Sequence, residues 1–319
     1  MRTTLRRAMA AATRAARSRG VRASFLALAL ATAVWAIAAQ WDGVIAGLRE
    51  VTPAVLALAF TLGVAYVWVT MAAWRVVLLA LGAPVPNTVT RTIFFVSQVA
   101  KYLPGGVWNI VAAAEMGADH EISRRRSVSA MAISLLLTVI TGLMLACAVV
   151  LWGPSELRER YGWIVVLLPL LLLTLSPWAL NRVLAVVGQG SEGPAMRVRL
   201  GTVITAGLLT ILSWTLAGSQ LYLLATSMGL QADAPNYLLC LGGYALAWVV
   251  GFLFIVAPAG VGVREAALGL VLAGALPEGA IVAVVLLSRV LLTLADLGLG
   301  GWAGLAARRR ARRSARGRA

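Results

Sequence analysis

The sequence predicts an all-α polytopic membrane protein with about six spanning helices plus two re-entrant hairpins, or eight spans, arranged as an inverted repeat. Three observations predict it. Of 319 residues, 61% are hydrophobic and 13% charged, and the mean hydropathy is +0.87, more apolar surface than one soluble core of this length needs. The apolar residues fall in long blocks, at 21–40, 53–81, 128–152, 163–180, 201–228 and 280–305, close to the about 20 residues that carry a helix across the hydrocarbon core. Two blocks are interrupted by Pro and Gly and then resume, at "QVAKYLPGGVWN" from Gln98 and "PAGVGVRE" from Pro258.

The net charge of +16 sits mostly at the ends: Arg2, Arg6, Arg7, Arg14, Arg17 and Arg19 precede the first block, Arg22 stands at its start, and Arg308, Arg309, Arg310, Arg312, Arg313, Arg316 and Arg318 follow the last. Such flanks orient a membrane protein with both termini cytoplasmic, and they rest on anionic headgroups. Nucleic acid is excluded as a partner, because neither tail carries interleaved aromatics or a nucleic-acid-binding signature. The first apolar block is too long for a signal-peptide h-region and "AAQWDG" is a poor cleavage site, so it reads as a retained helix. Cys147 and Cys240 lie in apolar blocks and read as small buried residues. His120, the only histidine, has no second ligand nearby, so neither a metal nor another cofactor is expected. No HExxH, GxSxG or GxxxxGK[ST] pattern occurs, leaving hydrolase and nucleotide-binding chemistry without support.

The elements follow in order. Residues 1–20 form an Arg-rich cytoplasmic segment, and 21–182 a first membrane repeat. Helix 21–40 exits, "WDGVIAGLRE" is an outer loop, and 53–81 returns. The limbs of segment 89–116, at 89–103 and 107–116, are each too short to cross. Pro104 lacks an N–H and Gly105 and Gly106 tolerate unusual backbone angles, so a hairpin opening to the cytoplasm is expected there, anchored by Arg124, Arg125 and Arg126. Irregular backbone at membrane depth survives only when buried in protein or lining a wet cavity. Helix 128–152 exits and 163–180 returns to a Gly-rich linker at 183–200. Helix 201–228 exits to "GLQADAPN", segment 237–274 is a second hairpin whose first limb is long enough to span alone, and 280–305 ends at the cytoplasmic tail 306–319.

The halves echo one another: "LGAPVPN" and "MGLQADAPN" precede the two hairpins, and "LPGGV" from Leu103 aligns with "APAGV" from Ala257. With opposite starting sides, and the second repeat beginning near 163, this is the inverted repeat of many secondary transporters, whose sites lie at the midplane where broken helices meet.

An ionisable side chain at the bilayer centre costs about 2.5–3.5 kcal/mol, so each needs a partner or a wet cavity. Lys101 stands before the first hairpin tip, Arg264 and Glu265 follow the second, and Arg289 and Asp296 share a face of the last helix. Arg289 with Asp296, and Arg264 with Glu265, could neutralise one another and only fix packing. Adjacent residues on a helix point apart, however, so one of Arg264 and Glu265 could reach the last helix instead. Lys101 has no acidic neighbour within a turn, which makes a transient anion its expected partner. Lys101, Arg264 and Arg289, with free N–H groups after Gly106 and Gly260, would suit a phosphate. Trp108 and Asn109 could supply an amphipathic wall and a hydrogen bond, and Tyr102, Pro258 and Gly262 complete the candidate substrate-binding set. The apolar surroundings favour a phosphate head on a hydrocarbon tail.

Four stretches, "WRVVLLALG" from Trp74, "QVAKYLPGGVWN", "PAGVGVRE" and "LLSRVLLTLAD" from Leu286, together resemble the lysylphosphatidylglycerol synthase transmembrane region family, also described as flippase-like. The resemblance implies translocation of a lipid between leaflets, and the Ala- and Arg-rich usage with a single lysine points to a bacterial plasma membrane. Lys101, Pro104, Gly106, Arg264 and Glu265 fall on its motif positions. Bifunctional members carry a separate soluble synthase domain; none follows here, so aminoacylation by this chain is not expected. The leading expectation is a non-enzymatic lipid flippase working by alternating access, downhill or ion-coupled, with Glu265 or Asp296 as a proton carrier. Two alternatives stand beside it: a membrane partner of a separate lipid-modifying enzyme, and a polyprenyl-phosphate transferase.

Overall fold

The computed structural model describes residues 38–103, 108–152, 155–187, 196–254 and 260–316. Most of the expected first helix and both turn segments, with Pro104, Gly105, Gly106 and Pro258, lie outside the described residues. Every regular element among the described residues is helical: α1 (Trp41–Glu50), α2 (Pro53–Ala80), α3 (Asn87–Val99) with a 3-10 turn at Ala100–Tyr102, α4 (Trp108–Ala118), α5 (Arg124–Trp152), α6 (Ser155–Tyr161) with a 3-10 segment at Gly162–Leu167, α7 (Leu168–Thr174), α8 (Pro177–Val187), α9 (Leu200–Ser227), α10 (Ala234–Leu253), α11 (Val263–Leu272) and α12 (Glu278–Arg316).

Helices α2, α5, α9, α10 and α12 are long and apolar enough to cross a membrane; a sixth span arises if the segments ending at Thr174 and beginning at Pro177 are one broken crossing, bent by 63°. The protein is thus a multi-pass membrane protein. Two starts are chemically explicit. The Thr52 hydroxyl oxygen accepts the Val55 N–H at 3.3 Å ahead of Pro53, and Asp233 Oδ1 accepts the Asn236 N–H at 2.8 Å, so each satisfies a backbone donor that the first helical turn leaves open.

Two stretches differ from the expectation. The loop "WDGVIAGLRE" is the helix α1, because its buried Val44 and Gly47 face α12. A Cβ on Gly43 would lie 3.0 Å from Gly279 Cα, so the pair of glycines sets how closely α1 and α12 approach. The expected helix at 163–180 is broken before Pro177, which has no N–H to continue the ladder.

The interior consists of two apolar clusters. One gathers Ala59 of α2, Trp214, Leu221 and Leu224 of α9, Tyr244 of α10, Leu272 of α11 and Val284 of α12. The other gathers Trp74 and Leu78 of α2, Phe95 of α3, Ile133 and Leu137 of α5, Leu180 of α8, Val203 of α9 and Ala303 of α12. Because α2, α9 and α12 each feed one cluster from one half and the other from the opposite half, the clusters are stacked along the helix axes. The outward stripe Ile204, Leu208, Ile211 and Leu212 of α9 is exposed, at the spacing of one helical face, as a lipid-facing surface requires.

Helix α2 packs along α9, α3 along α12, and α5 along α10. Contact between α9 and α10 depends on a missing side chain: a Cβ on Gly218 would lie 2.6 Å from Leu241 Cα. Small residues permit such approach between membrane helices, where packing replaces the hydrophobic drive. Gly218→Leu is therefore expected to destabilise the fold by about 3 kcal/mol, at the upper end of overpacking costs. Gly207→Leu on the same helix, where nothing lies within 4 Å, should change thermal unfolding in detergent little.

Candidate functional site

Between the two apolar clusters lies a cavity of about 380 Å³. Its walls come from near mid-length of the spanning helices, with Tyr66 of α2, Thr138 of α5, Ser213 and Trp214 of α9, Tyr244 of α10 and Thr293 of α12. At one side it reaches Phe252 and Leu253 at the end of α10, which are 38% and 63% exposed. The cavity therefore joins a polar interior to the apolar outer surface.

Four charged residues separated by up to 195 positions line it: Lys101, Arg264, Arg289 and Asp296. Asp296, only 4% exposed, gathers the turn after α3: Lys101 Nζ lies 2.7 Å from Asp296 Oδ2, and the Tyr102 hydroxyl donates to the same oxygen at 2.7 Å. Its other oxygen, Oδ1, is buried with no hydrogen-bond partner among the described residues. Lys101 thus does not lack an acidic partner, as its sequence neighbourhood implied. The partner arrives from 195 residues away, through the packing of α3 on α12.

The second pair also crosses elements. Arg289 Nε of α12 lies 3.3 Å from Glu265 Oε1 of α11, while Glu265 Oε2 accepts the Gly262 N–H at 2.6 Å. Glu265 therefore reaches the last helix, the alternative its adjacency to Arg264 left open. The N–H expected to be free at this turn is capped by the protein's own carboxylate, and the intrahelical pairing of Arg289 with Asp296 is replaced by two interhelical pairs.

Arg264 is different. Among the described residues it has no carboxylate within ion-pair distance, and its guanidinium lies 4.5 Å from the centroid of the Tyr244 ring, a cation–π arrangement. Its backbone is brought close by two glycines. Gly260 has φ +71°, and a Cβ on Gly251 would lie 3.0 Å from Arg264 Cβ, so α10 and the start of α11 could not approach this closely with side chains there.

Of the expected site residues, Lys101, Tyr102, Asn109, Gly260, Arg264, Arg289 and Asp296 line the cavity. Glu265 lies behind Arg289, in a separate small recess, and Gly262 and Trp108 are not on the main cavity wall, Trp108 being 44% exposed. Sequence reasoning missed Tyr66, Tyr244, Gln98, Trp214 and Trp248, all on the wall. The available signal was polar and aromatic residues at the centres of apolar spans. The hydroxyls of Thr210, Ser213 and Thr293 bond back to carbonyls of their own helices, as such residues do in membrane helices.

No curated protein matches the chain. A family model described as the transmembrane region of lysylphosphatidylglycerol synthase matches residues 24–300. That stretch takes in both interrupted blocks and every charged residue of the cavity, and with it the chain belongs to the lysylphosphatidylglycerol synthase transmembrane region family.

Proposed function

We propose that this protein is a lipid flippase of a bacterial plasma membrane, moving an anionic phospholipid or a polyprenyl-phosphate-linked lipid between leaflets by alternating access. The observation that carries the reading is the cavity: walled near mid-length of the spanning helices, lined by cationic groups, set between two apolar clusters and continuous with exposed apolar residues at one side. A lipid divides in the same way, into a charged head that needs polar partners and tails that do not.

Alternating access is supported by the way the halves pack. If α2 to α5 correspond to α9 to α12, then α2 against α9 is a self-corresponding contact, and α3 against α12 corresponds to α10 against α5. This is the exchange of contacts expected of two repeats facing each other around a midplane site. Both termini are cytoplasmic in this reading, by the arginine flanks.

The test is leaflet exchange of fluorescent lipids in proteoliposomes, with mass spectrometry of the recovered lipid. Protein-dependent exchange of an anionic lipid returned intact is expected. A chemically altered lipid would favour a transferase. No exchange above empty liposomes, together with co-purification of a lipid-modifying enzyme, would favour a membrane partner.

A further inference from the structure

The two ion pairs decide what charge the cavity can accept. Three cations, Lys101, Arg264 and Arg289, meet two carboxylates, Asp296 and Glu265. Lys101 is held by Asp296 at 2.7 Å and Arg289 by Glu265 at 3.3 Å, so the cluster carries one positive charge in excess, centred on Arg264 above the Tyr244 ring. The remaining polar wall, including Tyr66, Gln98 and Asn109, is neutral. Uncompensated charge at this depth is disfavoured in either sign, so an occupant with a single negative charge leaves the filled site neutral, whereas one with two leaves it negative.

Resting on the flippase reading, we propose that the cavity selects lipids by phosphate ionisation: it takes a phosphodiester, with one negative charge, and rejects phosphomonoesters and diphosphates. Asp296 is then a specificity-determining residue. By holding Lys101 it withholds a second positive charge from the occupant, and the occupant's ester oxygens meet neutral hydroxyl and amide donors. The shared chemistry covers a glycerophospholipid diester and a polyprenyl phosphodiester alike.

The rule predicts a switch. Asp296→Asn keeps the side-chain shape and an acceptor for Tyr102, but frees Lys101 and raises the cluster's excess to two positive charges. A second substitution, Lys101→Gln, returns it to one. The experiment compares phosphatidylglycerol, a sugar-capped polyprenyl phosphodiester and phosphatidic acid at pH 8, above the about pH 6 second ionisation of a phosphomonoester. Binding is read by quenching of tryptophan fluorescence in detergent, since Trp214 and Trp248 line the wall, and exchange is read in proteoliposomes.

The wild type should prefer the diesters at least tenfold. Asp296→Asn should reduce or reverse that preference by about tenfold, and Lys101→Gln/Asp296→Asn should restore it. Agreement of the two diesters assigns recognition to the phosphate, while a difference between them reports the tail or cap and leaves the charge rule judged by phosphatidic acid. Equal handling of diester and monoester by the wild type, or a preference that ignores both variants, overturns the proposal while leaving transport intact. Selective binding without exchange supports the charge rule and overturns transport, and absence of both overturns both readings. If Asp296→Asn fails to fold, the double variant, with Lys101→Gln removing the unpaired cation, serves alone: it must retain the wild-type preference, and Arg264→Gln must lose diester binding.

Discussion

Asp296→Ala is expected to destabilise the protein by about 3 kcal/mol. The carboxylate is the shared acceptor for Lys101 and Tyr102, so its removal strands a cation and a hydroxyl at once. Breaking a buried pair from one side costs about 3–5 kcal/mol. The lower end applies because the Lys101 side chain retains 31% exposure while that of Asp296 has 5%. Removing both charges together, as in Lys101→Met/Asp296→Leu, should recover most of the loss, since an apolar replacement leaves nothing unsatisfied. Unfolding free energies in a double-mutant cycle measure the coupling. A single variant within about 0.5 kcal/mol of wild type, the usual scale of surface substitutions, would mean that water already separates the pair.

Arg264→Ala should reduce leaflet exchange of an anionic lipid at least tenfold, with the fold intact. The side chain lies on Tyr244 and lines the cavity without a carboxylate at ion-pair distance among the described residues, so its loss removes the excess positive charge and breaks no ion pair among them. Arg264→Lys should fall between wild type and Ala. It restores the charge but not the planar fork that can grip two phosphate oxygens together, and it weakens stacking worth about 0.5–2 kcal/mol. The exchange rate at matched protein incorporation decides the matter; an Ala variant at the wild-type rate would remove Arg264 from the site.

Much of the architecture was legible before any coordinates. The spans at 53–81, 128–152 and 201–228 appear as α2, α5 and α9 with small shifts at their ends, and 280–305 appears within the longer α12, which continues into the arginine-rich tail, because a bilayer imposes one length and one composition on whatever crosses it. Irregular pieces were less legible. Helix α1 was hidden in a short stretch with charges of both signs, whose apolar side has meaning only once α12 is there to cover it. The break before Pro177 was visible as a Ser-Pro pair, but hydropathy averages over it, since a bent span is as greasy as a straight one.

The sequence alone determined that the chain is a helical membrane protein, and it singled out the charges that its apolar blocks carry. Those follow from local composition and from the cost of exposing polar groups to hydrocarbon. Tertiary structure decided the partners. Lys101 looked free because nothing acidic lies near it along the chain, and Arg289 and Asp296 were candidates to pair because they share a helix face. Packing α3 and α11 against α12 gave Asp296 to Lys101 and Glu265 to Arg289, leaving Arg264 without a carboxylate among the described residues. Pairing is a property of distance through space, and at separations of 195 residues only the packing of helices fixes that distance.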